Sequence, residues 1–340
     1  MSSESSSIQK GSRRGRIGAT TVIAIAVVLA AVGGVAAWYV LTPRGTFEIV
    51  VIDGSSTVYP ITAAWASDFN NPQRQVTVAI SGTGGGFQKF CRGETDLNDA
   101  SRPIKQSERD MCAAHVPPIT NITEFKIGYD GLTIVVPRSN DWVQNLTVKQ
   151  LCRIWTSNTS AGACGGAGPH VTRWSELSAS WPARLIKLYG PGTDSGTYDF
   201  FVEVILTPTG DRITSSFFSS EDDNILAEGV ANTPDAIGYF GFAYYEQYAA
   251  TLRSVPIDDE KMTNGAGPIG PSVETIKNGT YQPLSRPLFV YAHGKSLDRQ
   301  VVKDFLRFGL SAHGTELVSR TGYVGLSPSE LAIEAAKVPG

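Results

Sequence analysis

Beyond Pro43 the chain alternates short β-branched or apolar runs with stretches in which apolar residues recur every three or four positions. Runs of the first kind predict strands and stretches of the second kind predict helices. Strands are expected over 46–53, 75–81, 186–189 and 288–292. Two more, 122–129 and 132–136, are apolar enough to be buried, with Asp130-Gly131 interrupting them. Helices are expected over 61–70, 87–92, 105–115, 148–156 behind the cap candidate Thr147, and 197–206. A last one, over 297–310, is amphipathic and collects Arg299, Lys303 and Arg307. Asp222 and Asp223 are placed to start another, and the aromatics from Tyr239 to Tyr245 read as packing. There is no internal repeat. Strands handing over to helices throughout predict an α/β fold.

One segment departs from this alternation. Residues 19–41 carry no charge over about the length of helix that crosses a bilayer. A Ser-rich tail, 1–18, with Lys10, Arg13, Arg14 and Arg16 precedes them, and only Arg44 follows closely. That asymmetry predicts an N-terminal transmembrane helix with the tail in the cytoplasm and the rest outside. Val35-Ala36-Ala37 offers the alternative of a cleaved signal segment. Either reading sends the remaining chain out of the cytoplasm, where disulfides persist. Four cysteines permit three pairings, and closeness in sequence favours Cys91 with Cys112 and Cys152 with Cys164. The histidines (His115, His170, His293, His313) have no ligand spacing and there is no C-x-x-C pair, so neither a metal site nor a cofactor is expected. With 18% charged residues and a net charge of -3, the chain lacks the basic footprint of a nucleic-acid binder. Any anion it binds has to be held by local hydrogen bonds and dipoles.

Three loops offer such groups, each where a strand hands over to a helix. The first carries Ser56, Thr57 and Val58; the second, 81–86, is Gly-rich around Thr83; the third, 190–197, ends in Ser195, Gly196 and Thr197. Free backbone N–H groups and the positive end of the helix dipole make helix beginnings suited to oxyanions. Each loop alone reads equally well as a cap or a turn. The second is not a phosphate loop of the nucleotide-hydrolysing kind, since it lacks the Gly-Lys-Ser/Thr ending. The third approaches a serine-nucleophile turn but places Asp194 before Ser195, and no histidine has a recognisable context beside it, which leaves a serine hydrolase as the minor alternative.

In combination these stretches carry a resemblance. Asp53-Gly-Ser-Ser-Thr-Val-Tyr-Pro60, Ser81-Gly-Thr-Gly-Gly-Gly-Phe87, Asp99-Ala-Ser-Arg-Pro103 and Tyr189-Gly-Pro-Gly-Thr-Asp-Ser-Gly-Thr197 resemble the phosphate-binding proteins of Pst-type ABC importers. Tyr129-Asp-Gly-Leu132, Ile237-Gly-Tyr-Phe-Gly241 and Ser285-Arg-Pro-Leu-Phe289 extend the match over nearly the whole chain from Phe47. The resemblance implies a two-lobed type II periplasmic-binding-protein fold with two crossover strands. Lobe I is then 47–129 and 288–340, and lobe II is 130–287, with the chain crossing near Tyr129 and returning near 286–291. Inorganic phosphate is expected between the lobes. Lobe I offers Ser56, Thr57, the Val58 amide, Thr83, Ser101 and Arg102, and lobe II offers Ser195, Gly196 and Thr197. Lobe closure on the ligand is what the permease subunits of the importer would read, and the receptor is expected to be a monomer. Two positions depart from the family's usual pattern: Ser101 stands where a carboxylate is common, and Pro191 where an arginine is. Arg102 and Asp194 are the candidates to take over those roles. The loops by themselves would suit sulfate, molybdate or a phosphonate as well.

Overall fold

Val50 and Ile52 point inward from β1 (Glu48–Gly54), which pairs in parallel with β2 (Arg74–Ile80) and β3 (Leu97–Ala100). The computed structural model describes residues 47–193, 195–262 and 264–340. The expected tail 1–18, the apolar segment 19–41 and Asp194 lie outside the described residues. The main sheet path continues through β4 (Thr123–Pro137), β5 (Lys187–Pro191), β6 (Phe218–Ser220), β7 (Ala236–Gly241) and β8 (Ser285–Ala292), in the order β2-β1-β3-β8-β4-β7-β5-β6.

The 15-residue β4 organises the molecule. Its first part pairs with β8, Thr123 opposite Ala292 through Gly131 opposite Ser285. Its second part pairs with β7, Leu132 opposite Gly241. Two strands were expected here, broken at Asp130-Gly131. The strand runs through because buried Asp130 faces Arg286 on β8, so the polar residue is satisfied from across the ladder and no turn is needed. Hydrophobic side chains gather on both sides of this crossing. One group holds Val50, Ile52, Ile61, Trp65, Phe125 and Phe305; another holds Leu132, Ile134, Trp155, Phe201 and Tyr239.

Besides short helices such as Phe242–Tyr248, Val273–Lys277 and Gly294–Leu297, the helices are α1 (Tyr59–Phe69), α2 (Gly82–Cys91), α3 (Gln106–Ala114), α4 (Val148–Trp155), α5 (Gly196–Phe201), α6 (Asp223–Ala231), α7 (Gln300–Gly309), α8 (Ala312–Arg320) and α9 (Pro328–Ala335). A π-helical turn, Val202–Leu206, prolongs α5 to the predicted end. Thr147 caps α4 with a reciprocal Gln150 bond, and Asp222 caps α6, as their positions suggested. The Gly-rich run expected as a loop is instead the first turns of α2. A Cβ at Gly86 would stand 2.1 Å from Asn98 Oδ1, so only a bare helix face fits against β1 and β3. The single helix expected over 297–310 is split, because Arg299 leaves the helix to bond Asp96 at 2.6 Å and α7 starts after it. Both expected disulfides are present, Cys91–Cys112 joining α2 to α3 and Cys152–Cys164 tying α4 to the following turn.

Candidate functional site

The turn after β1 is pinned from below: Ser55 N donates to Asp99 O at 3.0 Å, and the Val58 and Tyr59 amides both donate to Ser55 O. The Val58 amide is thereby committed within the turn and its side chain is buried, so what this turn presents is the hydroxyls of Ser56 and Thr57. Thr83, in the first turn of α2, accepts the Ser101 amide at 3.2 Å and lies 3.3 Å from the Ser101 hydroxyl. Ser56, Thr57, Thr83 and Ser101 line one cavity of about 230 Å³, together with Arg102, Arg286, Asp199 and Glu203. Beneath this wall Asp99 is fully buried, its Oδ2 accepting the Thr62 hydroxyl at 2.6 Å. Burial, reinforced by neighbouring Asp53, pushes the Asp99 carboxyl up to about 8. Asp53 behaves oppositely. Its burial is outweighed by the bonds from Lys89 and Ser81, which hold it below the usual range.

Arg102 lines the cavity while held by Glu108 in a fork, Nη1 to Oε2 at 2.9 Å and Nη2 to Oε1 at 2.7 Å, with Nη1 also reaching Pro103 O. Burial raises the Glu108 carboxyl, but the guanidinium and the Lys105 amide overcome that and bring it below its ordinary value. The fork uses the end of the guanidinium, which leaves Nε–H and one Nη2–H without a partner among the described residues. Asp194, the other candidate for the departed roles, lies outside the described residues.

Arg286, like Asp199 and Glu203, is a group of this cavity that sequence reasoning missed. Its side chain is 12% exposed and meets three parts of the chain: Nε donates to Asp130 Oδ2 at 3.3 Å, Nη1 to Glu203 Oε2 at 3.1 Å and Nη2 to Thr57 Oγ1 at 2.8 Å. The guanidinium carbon lies 3.7 Å from the centre of the Phe200 ring. Asp130 still has its pKa raised, since complete burial exceeds what Arg286 returns. A signal was present in Ser285-Arg-Pro-Leu-Phe289, but there the arginine marked only the return crossing.

The second wall is α5. Ser195 is its cap, the hydroxyl accepting the Thr197 amide at 3.2 Å. Gly196 packs directly on the first turn: a Cβ there would lie 2.3 Å from Thr57 Cα, and Thr57 Oγ1 donates to Gly196 O at 3.2 Å. One turn on, Asp199 Oδ2 accepts the Ser56 hydroxyl at 2.9 Å. The first and third turns thus touch, but Ser195, Gly196 and Thr197 line an adjoining cavity of about 570 Å³, with Ser56, Tyr59 and Asp223. Burial pushes the Asp223 carboxyl up to about 7. The groups of this helix that line the smaller cavity are the carboxylates Asp199 and Glu203. No histidine ring bonds Ser195 among the described residues; His115, His293 and His313 are bonded to Pro117, Ser296 and Asp68.

Residues 39–313 match the family model described as the PBP superfamily domain. Protein SphX of Synechocystis is 41% identical over 84% of this chain and 80% of its own length. The phosphate-binding protein PstS of Staphylococcus haemolyticus is 36% identical over 80% of this chain and 79% of its own. Among solved structures, a possible phosphate binding protein from Planctomyces limnophilus superposes with a TM-score of 0.76 at 38% identity, covering 87% of this chain and all of the other. An ABC-type phosphate transport receptor from Vibrio cholerae, at 23% identity and a TM-score of 0.58, shares the fold.

Proposed function

We propose that this chain, which belongs to the PBP superfamily and within it to the Pst-type phosphate-binding proteins, captures inorganic phosphate in the cavity beside Thr57, Thr83 and Arg286. It is the extracytoplasmic substrate-binding component of a phosphate ABC importer and not an enzyme. The observation that carries the site assignment is the convergence of two guanidiniums with Ser56, Thr57, Thr83 and Ser101, from separate parts of the chain, on a space of about 230 Å³. Organic ligands occupy about 300–1,000 Å³. Charge-assisted bonds from Arg102 and Arg286 and hydroxyl bonds from Thr83 and Ser101 suit a tetrahedral oxyanion, with the Ser56 and Thr57 hydroxyls turning to it from Asp199 and Gly196 O.

Asp199 takes the acceptor role first sought at Asp194. A carboxylate only accepts, so facing an oxyanion it favours one that still carries a proton, as phosphate does at neutral pH and sulfate does not. Ser195, Gly196 and Thr197 contribute through the contact of Gly196 with Thr57, which joins the two walls. The lobes are 47–129 with 288–340, and 130–287, hinged where Asp130 and Arg286 cross. Residues 19–41 hold the receptor to the membrane, and it works as a monomer. Calorimetric titration of the full chain with phosphate, arsenate and sulfate tests the assignment. Heat from phosphate and arsenate but not sulfate is expected; no phosphate binding would end the assignment, and equal sulfate binding would remove Asp199 from its role.

A further inference from the structure

Arg286 has two acidic partners that differ in burial and in the element that carries them. Asp130 is 1% exposed and lies opposite Arg286 in the strand ladder, so it has no alternative partner in water. Glu203 is 57% exposed and sits in the π-helical turn after α5. A π turn inserts a residue into the helix and re-aims the side chains around it, and such turns recur at functional sites. Separating Arg286 from Asp130 would strand a buried charge, whereas Glu203 is free to return to solvent at little cost. Both Glu203 and Arg286 line the cavity, with the carboxylate on the Nη1 edge of the guanidinium.

We propose that Glu203 is a built-in competitor for Arg286: the bound anion takes the place of its carboxylate on Nη1, and the exchange sets the affinity of the site. This rests on the reading of the cavity as the phosphate site. A dianion arriving at Arg286 meets the negative charge of Glu203 at the edge it needs, so the carboxylate has to swing out before the new bond forms. Binding is weaker by the free energy of that displaced pair. The competition ignores whether the anion carries a proton, and in this it differs from the role of Asp199. The competitor therefore lowers affinity for all oxyanions alike, without contributing to the choice between them.

The test is titration of the full chain and of Glu203→Gln with phosphate and, at higher concentration, sulfate. Removing the charge is expected to tighten both by the same factor, about fivefold, the size of a half-exposed ion pair. Glu203→Asp keeps the charge and is expected to stay within about twofold of the parent. Equal thermal midpoints for parent and variants establish that the difference is not one of folding. Unchanged affinity in Glu203→Gln would overturn the competition and leave the phosphate site standing. Weaker phosphate binding with sulfate unaltered would overturn it by making Glu203 an acceptor for the ligand proton. No phosphate binding by the parent would instead overturn the site assignment on which the proposal rests.

Discussion

The two walls of the cavity are built from opposite chemistry. On the side of β1 and α2 stand hydroxyls and the Arg102 guanidinium; on the side of α5 stand two carboxylates, Asp199 and Glu203. The third turn has a capped helix beginning, in which the hydroxyl accepts its own Thr197 amide, and its residues line the neighbouring cavity. Besides the contacts of Thr57 with Gly196 and Ser56 with Asp199, the walls are joined by Arg286, which belongs to neither and reaches Thr57 on one and Glu203 on the other from the crossing strand. In the proposed site one wall supplies attraction, the other supplies discrimination and contact, and the positive charge that α5 lacks comes from the crossing strand.

The largest effect should follow from removing that shared residue. Arg286→Gln leaves Asp130 buried without its cation and Glu203 facing the ligand. A stability loss of about 3–5 kcal/mol is expected on breaking a buried pair, with phosphate affinity falling at least a hundredfold. Urea unfolding and calorimetry would show both. If the variant binds phosphate as the parent does, the walls close on the anion without the hinge and the comparison above is wrong.

Asp99, buried beneath the donor wall, holds its proton well above the usual carboxylate range. Its folded pKa, about 8, lies above the unfolded value, 3.8. Between these values the folded state binds a proton that the unfolded state has released, so stability is present at low pH and is lost as pH rises toward 8. The contribution falls steadily across that window, a loss on the order of a few kcal/mol between pH 5 and 7. Asp99→Asn, which keeps an acceptor for Thr62, should flatten that part of the curve in urea unfolding at several pH values. A parent and variant with parallel curves would mean that Asp99 is ionised in the folded protein.

The contact between the walls is next. Gly196→Ala places a methyl group 2.3 Å from Thr57 Cα, in backbone that has no flexible end to give way. Overpacking of this kind costs about 2 kcal/mol, and here it is relieved by separating α5 from the first turn, with phosphate affinity down roughly thirtyfold. Small-angle scattering with saturating phosphate should show a wider molecule than the parent. Unchanged affinity would mean that the two turns need not touch for binding.

Much of this was legible in the chain, and the exceptions share a cause. The alternation of Val50 and Ile52, the caps at Thr147 and Asp222 and the two close cysteine pairs are local, and each appears where expected. β3 was not anticipated: Leu97-Asn98-Asp99-Ala100 has no alternating pattern because its polar residues are buried beneath the turns at Ser55 and Thr83. The same holds for β4, unbroken at Asp130 only because of a residue 156 positions away. Arg286 and Asp199 were missed as site residues for that reason, since their roles depend on which elements the fold brings together. α8 and α9, after the last predicted helix, pack beside β4 and on the C-terminal side of the first core group, contacts that a helical period does not announce.

The smallest expected effect sits within the donor wall. Thr83 accepts the Ser101 amide and lies beside its hydroxyl, so it orders Ser101 as well as offering a bond of its own. Thr83→Ala removes one hydroxyl and leaves that amide to water, a loss of about 1 kcal/mol, or roughly fivefold in phosphate affinity. Because a hydroxyl donates to any oxyanion oxygen, arsenate affinity should fall by the same factor and the preference over sulfate should persist. A change in preference instead would place discrimination on the hydroxyl side and erase the division of labour between the two walls.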